Sequence, residues 1–75
     1  MKRQFLDPRV AFGRAVRQRR LALGHSQEKL GELAGLHRTY VADVERGARN
    51  LSLVSIVRIA RALSMSPAEL LEDVR

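Results

Sequence analysis

If residues 38–46 are helical, a rotation of 100° per residue gathers Arg38, Thr39, Ala42, Asp43 and Arg46 into one outward sector of about 140°, with Val41 and Val44 facing the other way. Ala42 lies within that sector and has no side chain to obstruct close approach. Around it stand two guanidinium donors, a hydroxyl and a carboxylate. Such a surface suits a helix pressed into the major groove of duplex DNA, where arginine bonds guanine O6 and N7, threonine offers its hydroxyl or meets a thymine methyl, and aspartate accepts from cytosine N4. A solvated helix surface shows a similar mixture of polar residues, so the sector by itself does not separate the two readings.

The residue types needed for catalysis are sparse. His25 and His37 lack any cysteine or HExxH context, no glycine-rich phosphate loop is present, and the adjacent His25 and Ser26 do not make a positioned nucleophile and base. An enzyme is not expected, nor a metal or cofactor.

The elements that must position the polar sector are marked by local punctuation. Asp7-Pro8 reads as an N-cap with proline at the first helical position, opening a helix over residues 8–23 that Gly24 stops. Ser26 caps a two-turn helix over residues 27–34, closed by Gly35. The helix carrying the sector follows over residues 38–46 and ends at Gly47. Ser52 caps a fourth helix over residues 53–63, and Ser66-Pro67-Ala68-Glu69 is a capping box that opens a fifth over residues 67–74. The expectation is an all-α, compact five-helix bundle, a single domain over residues 1–75 with residues 1–7 as an arm. Phe12, Val16 and Leu23 form the apolar stripe of the first helix, with Arg20 on its edge, where a half-buried guanidinium needs an acceptor. On the fourth helix Leu53, Ile56, Ile59, Ala60 and Leu63 share a face, and Val54 is spare apolar surface beside Arg61.

Length and composition narrow the classes further. The 75 residues contain no cysteine, so stability must come from packing, helped by a second copy. The start lacks the apolar core of a signal peptide, and the longest apolar stretch, residues 51–63, is broken by Ser52, Ser55, Arg58 and Arg61. A cytoplasmic protein is expected. The net charge is +6, and seven basic residues (Lys2, Arg3, Arg9, Arg14, Arg17, Arg19, Arg20) against Asp7 place the whole excess in the first third. That excess points to a polyanionic partner. A basic membrane-binding peptide would need tryptophans and a broad apolar face, which are missing.

Two short helices joined by a glycine-containing turn define a helix-turn-helix. Gly24, Ser26-Gln27, Leu30, Ala34-Gly35 and residues 41–47, followed by Arg49-Asn50 and residues 56–63, resemble the phage-repressor and Cro-type helix-turn-helix family over residues 10–72. Within it, Phe12-Gly13 and Leu36-His37-Arg38-Thr39-Tyr40 are most similar to the controller proteins of restriction-modification systems. The resemblance implies a nucleoid-associated regulator that binds a palindromic double-stranded DNA operator as a homodimer and can activate and repress. A phage-type repressor or an antitoxin-like autoregulator of the same fold is the alternative.

Position by position, the resemblance makes Arg38, Thr39, Ala42 and Asp43 base-reading and gives Gln27, Arg46, Arg49 and Asn50 contacts to phosphate. Tyr40 either touches backbone or packs its ring on the domain. Arg20 and Glu45 match a structural ion pair that sets the angle of the recognition helix, so Arg20→Met is expected to fold but bind its operator weakly. Arg19 stands where the family has an apolar residue. With Arg17 it is assigned to phosphate, its stem lying along the core. His25, also a departure, is read as a turn residue. Leu51, Val54, Met65 and Leu70 are assigned to the dimer interface. Glu28 and Glu32, one turn apart, match positions that meet RNA polymerase sigma factor.

Overall fold

The structure is a computed structural model that describes residues 5–75. Lys2, Arg3 and most of the expected arm lie outside the described residues. Five helices follow one another: α1 (Pro8–Ala22), α2 (Gln27–Ala34), α3 (Arg38–Glu45), α4 (Leu53–Ala62) and α5 (Pro67–Leu70). The all-α, five-helix expectation holds, with no strand among the described residues.

The caps explain the starts. Ser26, Ser52 and Ser66 accept the N–H of Lys29, Ser55 and Glu69, and the Glu69 carboxylate returns to the Ser66 N–H at 2.9 Å, completing the capping box. Asp7 caps α1 in front of Pro8. The Arg9 side chain, and then its backbone N–H, hold the Asp7 carboxyl down at about 2. α2 ends at Gly35 with φ 70, a left-handed residue that turns the chain towards α3.

Each helix contributes to one core: Phe12 and Val16 from α1, Leu30 and Ala34 from α2, Val41 and Val44 from α3, Ile59 and Ala60 from α4, with Leu63 and Leu70 closing it. α1 and α3 approach at Gly13, where an added Cβ would lie 2.3 Å from the Val44 carbonyl oxygen. Backbone therefore meets backbone there, leaving no room for any side chain.

Two elements depart from expectation. α5 stops at Leu70, and the chain continues in tight turns, with Glu72 N–H on the Glu69 carbonyl and Val74 N–H on that of Leu71. Glu72 and Asp73 oppose the negative end of the helix dipole, and the turns fold Val74 back against the core. Leu53, expected on the core face of α4, is 73% exposed because it occupies the first helical position; burial begins a turn later at half-buried Ile56 and is complete at Ile59.

Candidate nucleic-acid interface

α3 is held by a buried ionic network that joins three segments of the chain. Arg20 Nε donates to Glu45 Oε2 at 2.6 Å and Nη2 to Oε1 at 3.0 Å, while Nη1 donates to the His25 carbonyl at 2.9 Å. Gln27 Nε2 donates to the same Glu45 Oε1 at 3.1 Å. The hydrogen bonds to Glu45 raise the Arg20 pKa above its ordinary value against the opposing cost of burial. The expected Arg20–Glu45 pair is thus present, and its second acceptor is the backbone of the turn that enters α2. Gln27, assigned to phosphate, is half-buried and has one N–H committed to Glu45 inside the network.

On the outer side of α3, Arg38 and Thr39 are exposed, Ala42 and Asp43 are half-buried, and Arg46 is exposed. The structure brings these five onto one face, as the helical spacing requires. The start of α3 is set by a residue that sequence reasoning passed over. His37 accepts the Thr39 N–H on Nδ1 at 3.0 Å and so caps the helix. Its position directly before the polar sector was the available signal.

Asp43 is not free on this face. Arg46 Nη2 pairs with its Oδ1, and Arg49 Nε and Nη2 each lie 3.2 Å from its Oδ2. Arg49 also stacks over the Tyr40 ring, 4.8 Å from the centroid, and Tyr40 is packed against the core. The Tyr40 ring is packed as one of its two readings requires, and it remains partly exposed. Asn50 is exposed in the loop that follows.

Arg19 is tied to α4. Its Nε donates to the Leu63 carbonyl at 3.1 Å, satisfying the C-terminal end of α4, where the helix leaves carbonyls without intrahelical partners. That places its head on the α4 side of α1, with Nη1 and Nη2 outside this bond. Arg17 is exposed one turn from both Gly13 and Arg20, on the side of α1 that faces α3. Asp7 offsets the charge of Arg9 and Glu45 that of Arg20, so Arg14, Arg17 and Arg19 carry the charge of α1 that stands outside these ion pairs.

Leu70 is corrected: it is fully buried in the core and has no surface to give a partner copy. It supplies the core contact that lets four-residue α5 close the domain. Val54 is 60% exposed, and Leu51 and Met65 are half-buried. Leu53 beside Val54 is the apolar surface residue that helical periodicity missed. Glu28 and Glu32 are exposed on α2. Among the described residues no helix is long and apolar enough to cross a membrane, and no group of three or more His, Cys, Asp or Glu side chains could hold a metal ion.

A short helix packed across a second by a glycine turn, with its outer face polar and its inner face locked to α1, is the geometry of a helix-turn-helix. The sequence matches the helix-turn-helix family over residues 16–70, and the chain belongs to that family. Among similar proteins, the control protein C.BamHI of Bacillus amyloliquefaciens is 51% identical over 65 residues, 85% of this chain and 80% of that protein. Control protein C.SmaI of Serratia marcescens is 42% identical over 67 residues, 89% of this chain and 80% of that protein. The crystal structure of the restriction-modification controller protein C.AhdI from Aeromonas hydrophila superposes with a TM-score of 0.81 at 53% identity, covering 83% of this chain and 94% of that one.

Proposed function

We infer that this chain is a sequence-specific transcriptional regulator of the restriction-modification controller type, which binds a palindromic duplex operator as a homodimer and both activates and represses. The observation that carries the reading is the outer face of α3: exposed Arg38 and Thr39 at its N-terminal end, small Ala42 beside them, on a helix whose angle is fixed by the Arg20–Glu45–Gln27 network. Arg38 and Thr39 read base edges. Gln27, Arg46, Arg49, Asn50 and Arg17 surround them and hold phosphate, which fixes register without reading sequence.

One recognition helix reads only a few base pairs, and a two-fold dimer places two of them about one helical turn, ~34 Å, apart. The exposed pair Leu53 and Val54, with half-buried Leu51 and Met65, supplies apolar surface for that dimer. Glu28 and Glu32 stand exposed on α2, away from the core, where acids can meet polymerase sigma factor during activation.

The test is discrimination rather than affinity. Arg38→Ala should cost operator binding about 1–3 kcal/mol while leaving binding to random duplex nearly unchanged, measured by competition titration with both DNAs. An equal loss on both would make Arg38 a phosphate contact and overturn its base-reading role.

A further inference from the structure

The face assigned to DNA carries a carboxylate gripped by two guanidinium groups that belong to different segments. Asp43 lies within α3, Arg46 just past its end, and Arg49 in the loop beyond Gly47. Arg46 pairs with Oδ1 and Arg49 with Oδ2, so both carboxylate oxygens are engaged. A carboxylate held in this way is a weakened acceptor for cytosine N4, since both of its oxygens already take charged hydrogen bonds and its charge is shared with two guanidinium groups.

We propose that Asp43 determines specificity by acting through Arg46 and Arg49, tying both guanidinium groups to one position and lowering their attraction to phosphate that does not match it. The proposal rests on the DNA-binding reading and assigns Asp43 a positioning role in place of base reading.

Exposure supports this arrangement. The Asp43 side chain is 18% exposed, against 65% for Arg46 and 46% for Arg49, so the carboxylate sits beneath the two cations that it orders. Arg49 has a second anchor in the Tyr40 ring. Each arginine keeps Nη1 outside the pairs and can donate to phosphate without leaving Asp43. The other acid of α3, Glu45, is consumed by Arg20 and Gln27 and cannot take over. Two cations sharing one anion present less net charge to a nonspecific polyanion, yet offer donors at a fixed spacing to a phosphate pair that fits. Nonspecific affinity follows the number of phosphates neutralised, whereas specific affinity also depends on where the donors stand.

Asp43→Asn keeps the side-chain size and removes the charge. On random-sequence duplex it should bind roughly fivefold more tightly, with a slope of log K against log salt steeper by about one. Operator affinity should stay level or fall, so the specificity ratio drops by about fivefold or more. Asp43→Glu should recover the wild-type salt slope. In an Arg46→Gln, Arg49→Gln background, Asp43→Asn should leave the ratio unchanged, because the groups it acts through are gone. Loss of operator affinity with unchanged random-duplex affinity and slope would overturn the proposal in favour of direct base reading. Equal tightening on both DNAs would overturn it in favour of bulk charge alone. Failure of the wild-type chain to bind any duplex would instead sink the DNA-binding reading itself.

Discussion

Arg20→Met should unfold a large fraction of the protein at ambient temperature, whereas Arg20→Met combined with Glu45→Met should fold and yet bind its operator weakly. The Arg20 and Glu45 side chains are 9% and 3% exposed, and three of the four side-chain and backbone hydrogen bonds in their network belong to Arg20. Removing the arginine alone strands a buried carboxylate with only the Gln27 amide, a change that costs about 3–5 kcal/mol. A domain this small has roughly that much stability in total. Burial therefore revises the sequence-based expectation that the single substitution folds. Replacing both partners by apolar side chains of similar volume is often neutral or stabilising. The double variant then isolates what the pair does for recognition, the angle of α3. Thermal unfolding followed by circular dichroism checks the first part and operator titration the second. A single variant as stable as wild type would contradict the account.

Gly13→Ala should lower stability by about 2 kcal/mol, although alanine is ordinarily the better helix former by about 1 kcal/mol. Its Cβ would stand 2.3 Å from the Val44 carbonyl oxygen and 2.9 Å from that of Glu45, both of them backbone atoms. No rotamer change relieves such a contact. α1 and α3 must separate, which also stretches the Arg20–Glu45 bonds across the same seam. The expected fall in Tm is on the order of 10 °C, compared with almost none for Gln18→Ala on the exposed side of α1. A gain in stability at Gly13 would mean that the two helices do not meet backbone to backbone.

What the sequence disclosed depended on range. Ser26, Ser52, Ser66 and Asp7-Pro8 marked four helix starts because a cap is made within three residues. Phe12, Val16, Val41, Val44, Ile59, Ala60 and Leu63 followed from period alone, whereas Leu23, expected on the stripe of α1, lies just past its end and is 37% exposed. The Arg19 bond could not be read from the sequence because its acceptor, the Leu63 carbonyl, lies 44 residues away and belongs to the end of another helix. Leu53 was misassigned because periodicity gives the direction of a face but not how far along the helix that face stays covered. His37 escaped notice as a cap because imidazole is less usual there than a hydroxyl or carboxylate. Asp43 fell correctly on the outward sector, but its two arginine partners depend on the path of the loop after Gly47, which spacing on a helix cannot supply.

The bulk charge also changes meaning. With Arg9 and Arg20 paired to acids within the protein, the described part of the basic first third leaves Arg14, Arg17 and Arg19 outside those pairs, and Arg38 and Thr39, proposed as the base readers, lie outside that third. Steering and sequence reading are thus assigned to different helices.

Selection of bound duplexes from a random DNA library tests the central claim most directly. The account predicts an enriched motif with two-fold symmetry, its half-sites centred about one helical turn apart, and relaxed at one position of each half-site when Arg38→Ala is selected in parallel. Recovery of no enriched sequence, or of a motif unaffected by the loss of Arg38, would contradict it.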